Sequence, residues 1–312
     1  MTEKNLDFDK VWDRKNTHSL KFDFAKRRGY PEDVLPLWVA DMDFKTSSYI
    51  EEALVKSAQK GIFGYSETGD KIGDEDDYFR AVKGWLKRHH NFDVEYEWLI
   101  KTPGVVFAIA MAIRAFTDPG DGVLISQPVY YPFSEVIADN GRRVVSSDLY
   151  LGEDNKYHYD FEDFEKKIID NNIKLFILCN PHNPVGRVWD KEELIKIGDI
   201  CIKRGVLVVS DEIHSDFDLY KKHNVFAGLK EEYKKITITC NSISKTFNLA
   251  SLLIANVFIA DRRLRTEFKK QINAAGISQL SIFGIEATIS AYNDGEEWYN
   301  GMISYVKDNV DF

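Results

Sequence analysis

A chain of 312 residues, 44% of them hydrophobic and 13% aromatic, can bury a sizeable core, is too long for one simple domain, and is not of disordered composition. Its formal net charge of −9 gives it no general attraction to polyphosphate, which excludes a broad nucleic-acid surface but leaves room for a local basic pocket that takes one small anion. The opening MTEKNLDFDKVWDR is polar and charged, without an apolar signal segment, and no stretch elsewhere is long enough to span a bilayer, so a cytoplasmic protein that does not enter membranes is expected.

The first fifty residues read as irregular, with one conspicuous segment, PLWVADMDF (Pro36 to Phe44). Helix patterns follow over Ser48–Lys60 and about Glu75–His90. From Leu99 the pattern becomes α/β. Thr102–Phe116 is a turn leading into an apolar helix, and Asp121–Pro128, Lys174–Pro181, Val206–Glu212 and Ile236–Ser242 are short apolar runs of the kind covered on both faces of a sheet. Between the second and third of these runs Asp190 is a candidate N-cap with Glu193 as capping-box partner. Leu194, Ile197, Ile200 and Cys201 form the apolar face, and Gly205 is the exit. Two further helix patterns cover Phe283–Tyr292 and Glu296–Val310. Strand–helix–strand alternation predicts a mostly parallel or mixed sheet. Cys179, Cys201 and Cys240 are odd in number and form no CxxC, which reads as reduced core thiols, and no metal site is expected.

Candidate chemistry collects where ligands bind in such sheets, at the carboxyl ends of the strands. Lys245, in NSISKTFN, is a solvated surface charge on the plainest reading. Apolar sequence on both sides argues instead for burial, which lowers an amine's pKa and suits it to attack a carbonyl. Asp211 ends a strand. It either caps the next turn or, buried, needs a cationic partner. Asn183, in NPHNPVG, is turn chemistry first and a hydrogen-bond partner for a ligand oxygen second. The Thr102–Val106 turn opens a helix whose N–H groups form a candidate anion site, with Val105 and Val106 giving main-chain donors only and Ser242 a candidate hydroxyl for the same anion. Tyr130 and Tyr131 either pack or offer a face to a ring. His214 is placed to approach the same ring, although a lone histidine is more often structural.

Together PLWVADMDF, FGY (Phe63–Tyr65), PVYYPF (Pro128–Phe133), CNPHNPVGRVW (Cys179–Trp189), SDEIHSD (Ser210–Asp216) and SISKTFNLA (Ser242–Ala250) resemble the fold-type I pyridoxal-5′-phosphate (PLP) enzymes of the aminotransferase superfamily. Within them they are similar to the cystathionine β-lyase (C–S lyase) branch of the MalY/PatB type. The resemblance implies an α/β fold, a PLP-dependent transferase fold with a large domain built on a mostly parallel seven-stranded sheet between helices. The organisation it implies is residues 1–47 contributing to a small domain, 48–285 as the large PLP-binding domain, and 286–312 as the start of a C-terminal small domain. The family's substrate-carboxylate arginine has no matching position before residue 312. Lys245, Asp211 and Tyr130 are the implied catalytic residues. Lys245 holds PLP and moves the Cα proton, Asp211 pairs with the pyridine nitrogen, and Tyr130 stacks on the ring. Asn183 contacts the phenolic oxygen, His214 lies near the ring, and Val105, Val106 and Ser242 hold the phosphate. Tyr65 reaches the phosphate of a second subunit, implying a homodimer with shared sites, while the main chain at Ala40 and the side chain of Tyr131 face the substrate.

The implied reaction is α,β-elimination on cystathionine or a related cysteine S-conjugate, giving a thiol, pyruvate and ammonia. Two alternatives use the same residues: aminotransfer, and PLP binding in a regulatory protein with little turnover. A third, a serine acyl-enzyme, rests on the formal S-x-x-K of Ser242–Lys245, but its partner motifs SDN and KTG are missing from the sequence.

Overall fold

The computed structural model describes residues 2–31 and 33–312. Up to residue 47 the described chain is irregular apart from one short 3-10 turn, Lys26–Arg28. Then come α1 (Ser48–Gln59), α2 (Asp77–His90), β1 (Leu99–Thr102), α3 (Val105–Phe116), β2 (Gly122–Ile125), α4 (Pro132–Asp139) and β3 (Arg143–Ser146). A two-stranded ribbon, β4 (Tyr150–Leu151) and β5 (Tyr157–His158), leads to α5 (Phe161–Asp170), β6 (Leu175–Cys179), α6 (Lys191–Arg204), β7 (Leu207–Asp211) and β8 (Thr237–Asn241). The single turn α7 (Ile243–Thr246), then β9 (Ala255–Phe258), α8 (Arg262–Ala274), α9 (Ile282–Asp294) and α10 (Glu296–Asp311) complete the order.

Side-chain caps mark several helix starts. Ser47 accepts from Tyr49 N at the head of α1, Asp76 from Phe79 N at α2, and Asp261 from Arg263 N and Leu264 N at α8. The Asp190–Glu193 capping box forms as read from the sequence, and Gly205 leaves α6 at φ 69°, a left-handed conformation that glycine adopts without penalty.

The main sheet has seven strands in the order β1-β9-β8-β7-β6-β2-β3. Strands β3, β2, β6, β7 and β8 run parallel, and β9 lies antiparallel between β8 and the end strand β1, which runs in the direction of the parallel set. Every residue of β2, β6, β8 and β9 is buried, the pattern expected of strands covered by helices on both sides. One core cluster joins the sheet to α3, α4 and α8, and a second joins its other face to α5 and α6. A third gathers α2, α9 and α10 around Trp85, Phe247 and Trp298, with Phe8, Met42 and Phe44 of the irregular N-terminal stretch packed against it. The three cysteines are buried and unpaired. Among the described residues no helix is long and apolar enough to cross a membrane.

The four strands read from sequence are all present, each shorter than its apolar run. The sequence reading did not separate β1, β3, β9, the β4–β5 ribbon or the helices α4, α5 and α8. Strand β1 (LIKT) and strand β3 (RVVS) are short and carry a charge, and β9 lies inside an apolar run that had been read only as a flank of Lys245.

Candidate active site

Register alone assembles the heart of the site. Parallel pairing sets Cys179, the last residue of β6, opposite Asp211 on β7, and Asp211 opposite Cys240 on β8. The Asn183 turn, Asp211 and the Lys245 turn therefore leave the same edge of three adjacent strands. Asp211 is buried, and its Oδ1 accepts the Ile213 N–H at 3.1 Å. Among the described residues no cation stands within ion-pair distance of it. Burial, with a smaller push from Glu212, raises its pKa to about 7 against the opposing pull of Ile213 N–H and Lys245.

Lys245 is partly rather than fully buried, so its apolar flanks sink the neighbouring strands more than the amine itself. Burial still lowers its pKa, opposed by the charges of Asp41 and Asp211. Its Nζ donates to Ala40 O at 2.9 Å. His214 lies near enough to feel Lys245. Burial first, and that charge second, push its pKa down to about 4, so the imidazole is neutral at neutral pH. Tyr130 is half-buried, edge-on to Phe133 at 5.8 Å, and its phenol pKa is raised by burial, Tyr131 and Asp211. Tyr131 is 65% exposed.

The start of α3 has no side-chain cap. Gly104 precedes it at φ 135°, closed to L side chains, and no atom lies within 4 Å of the place a Cβ would occupy. The first N–H groups of the helix, at Val105 and Val106, have no intrahelical acceptors. Asn183 and His214 share a recess of about 210 Å³, and among the described residues the Asn183 amide makes no hydrogen bond to protein. Its backbone N–H donates to Cys179 Sγ at 3.3 Å. The Ser242 hydroxyl is engaged within its own turn. Buried, it lies 2.6 Å from Ile254 O and accepts Ser244 N–H at 3.0 Å as the cap of α7. Tyr65 is 99% exposed and lines a separate cleft with residues 276–283, so the chain does not bring it to its own Lys245.

A strap that sequence reasoning marked as a motif, but could not place, closes the other side. Residues Val39–Lys45 line a cavity of about 730 Å³ together with Lys245 and Asn248. Asn248 accepts Met42 N–H at 2.9 Å and donates to Met42 O at 2.9 Å and Phe44 O at 3.2 Å. Arg14 grips both oxygens of Asp41, at 3.0 and 2.8 Å, and Asp43 at 2.7 Å, while Lys21 meets Asp43 at 2.9 Å. Next to these ties Val39 stands at φ 62°, its carbonyl accepting the Asp41 N–H at 2.8 Å, a conformation that costs a β-branched residue about 1–3 kcal/mol. Strain of this kind persists where the surroundings over-determine it, here beside the carbonyl that meets Lys245. Arg14 left no sequence signal, because its partners lie far along the chain.

The donors and acceptors fit one ligand chemistry. An uncapped helix start suits a phosphate, and a buried carboxylate without a cation suits a protonated ring nitrogen. A free amide suits a phenolic oxygen, a half-buried tyrosine a ring face, and a low-pKa amine an aldehyde. PLP carries all of these groups.

Comparisons with known proteins agree with that fit. Residues 32–312 match the family described as aminotransferase class I and II. The chain is 43% identical over 306 residues to the cystathionine beta-lyase PatB of Bacillus subtilis, covering 98% of this chain and 77% of that one. It is 31% identical to protein MalY of Escherichia coli over the same shares. Among solved structures it superposes on PLP-containing cystalysin of Treponema denticola with a TM-score of 0.88 at 38% identity, over 96% of this chain and 75% of that one. The PLP-bound C–S lyase of Staphylococcus hominis gives 0.88 at 33% identity, over 97% and 75%. With the sheet order, the strand-end cluster and these likenesses in agreement, the chain belongs to the aminotransferase class I and II family and has the fold of its PLP-dependent members.

Proposed function

We propose that this chain is a PLP-dependent C–S lyase that eliminates a thiol from cystathionine or a related cysteine S-conjugate, leaving pyruvate and ammonia. The observation that carries the reaction class is the 43% identity over 98% of the chain to a cystathionine beta-lyase. The site supports it residue by residue. Lys245 would hold the cofactor through Nζ, Asp211 would pair with its ring nitrogen, Asn183 with its phenolic oxygen, and the Val105 and Val106 N–H groups with its phosphate. Tyr130 would cover one ring face, with neutral His214 nearby.

Bound PLP supplies an electron sink for the pair left at the substrate Cα. The protein's own groups do the rest. Lys245, as a free amine whose pKa burial lowers, would take the substrate Cα proton as general base. Asp211, once ionised, would pair with the ring nitrogen and keep a proton on it. The strap at Ala40, whose neighbours Met42 and Phe44 are tied to Asn248, would offer main-chain N–H groups to the substrate carboxylate, and Tyr131 would face the substrate. The sulfur would leave from Cβ as thiolate and take up a proton, and the rest of the substrate would take up water to give pyruvate and ammonia.

We further assign Tyr65 to the site of a second copy of this chain, in a homodimer. Its 99% exposure in the single chain supports that assignment. The test is pyruvate release from L-cystathionine with PLP and no added keto acid. Pyruvate and a free thiol in equal amounts support the lyase reading. Amino-group exchange that needs a keto acid, without free thiol, overturns it in favour of aminotransfer.

A further inference from the structure

The stretch that carries Asp211 and His214 ends in a second acid with no part in the chemistry above. Asp216 is 2% exposed, and its carboxylate collects donors from two separate elements. Trp85 Nε1 at 3.1 Å and His90 Nε2 at 2.7 Å, both on α2, meet Oδ1, and the hydroxyl of Thr246, the last residue of α7, meets Oδ2. The main-chain carbonyl of Asp216 accepts the Tyr299 hydroxyl of α10 at 2.8 Å. Thr246 is wholly buried. A buried carboxylate cannot release such donors without leaving charge unpaired, so its position is over-determined.

Thr246 is the neighbour of Lys245. The turn that carries both is four residues long, Ile243–Thr246, too short for its own hydrogen bonds to hold it. Its place is set from outside. Ser242 ties the head to Ile254 O, and Thr246 ties the tail to Asp216. Asp216 in turn is joined through a short loop to Asp211. Resting on the reading of Lys245 and Asp211 given above, we propose that Asp216 and Thr246 are positioning residues that set where the Lys245 amine stands relative to the Asp211 carboxylate. Beyond the β7–β8 pairing that brings the two strand ends together, the two groups proposed to hold opposite parts of the cofactor are thus tied by a buried side-chain hydrogen bond past the strands themselves.

The test compares the full-length chain with Thr246→Val, which keeps the shape and loses the hydroxyl, and Thr246→Ser, which restores it. Each is titrated with PLP by the absorbance of the lysine-bound cofactor, melted, and assayed with L-cystathionine. The expected result for Thr246→Val is a PLP Kd about tenfold higher and a kcat about tenfold lower, a loss of one typical hydrogen bond to a charged group, with KM within about twofold. Thr246→Ser restores both values. If the valine variant does not fold, Thr246→Ala is read by the same criteria. A hydroxyl-free variant that binds PLP and turns over like the parent, whatever its Tm, overturns the proposal, as does a serine variant as impaired as the valine one. Absence of a lysine-bound band in the unsubstituted protein is a different failure. It removes the cofactor reading itself, and this inference with it.

Discussion

Asp211 and Asp216 sit on one short stretch of chain, 5% and 2% exposed, yet their carboxyls are pushed in opposite directions. Asp211 has one backbone donor, and burial raises its pKa to about 7. For Asp216 burial also acts upward, but His90, Thr246 and Trp85 outweigh it and hold the group below the ordinary carboxylate range. Burial does not decide ionisation by itself; partners do. The satisfied acid is held by its neighbours, and the unsatisfied one is the acid we propose to meet a cationic ring nitrogen. A buried acid left short of partners is the more informative of the two about function.

The sharpest way to break that contrast is to neutralise each acid in turn. Asp211→Asn is expected to lower kcat/KM on L-cystathionine by roughly a thousandfold, about 4 kcal/mol, because nothing then keeps the ring nitrogen protonated. The same variant, without cofactor, should melt higher than the parent at pH 8. Folding raises the Asp211 pKa from 3.8 to about 7, so between those values the folded chain keeps a proton that the unfolded chain releases. Its contribution is therefore fully present below pH 3.8 and is lost as pH rises through 7. The gap between variant and parent should close toward pH 4, and thermal melts across that range with and without PLP measure it.

Asp216→Asn should do the reverse to stability, lowering Tm at pH 8 by roughly 5 °C, the cost of about 3 kcal/mol for removing a buried carboxylate from the donors gathered on it. Its depressed pKa makes its contribution present above pH 3.8 and lost as pH falls further, so the deficit of the variant should shrink in acid. A tie between neutral groups should matter less. Asn248→Ala frees Met42 and Phe44 and is expected to raise KM about fivefold, roughly 1 kcal/mol, with a smaller change in kcat. Smallest is Tyr65→Phe, a change of about threefold in PLP Kd, seen only at concentrations where two copies associate.

Much of the site was legible in the sequence, because strand ends and turn chemistry are local. Lys245, Asp211 and Asn183 each follow a recognisable apolar run, and the Asp190–Glu193 box signals itself within four residues. The direction of the Ser242 hydroxyl was not legible, since its partner Ile254 O belongs to the segment that returns after the lysine turn. Nor were the grips of Arg14 on Asp41, of Asn248 on Met42, or of His90 on Asp216. Each joins residues remote in sequence, and no periodicity records such a pairing. Strands β1 and β3 escaped because a short, charged strand at or near a sheet end lacks the continuous apolar pattern of a central one.

The central claim, that Lys245 is the covalent anchor of PLP opposite Asp211, is tested most directly by reducing the PLP-loaded protein with borohydride and mapping the modified peptide by mass spectrometry. The account predicts one phosphopyridoxyl group, on Lys245, with loss of the visible absorbance band, and no such product from Lys245→Ala. Modification at another lysine, such as Lys101 or Lys269, or no stable modification in a folded protein, would contradict it.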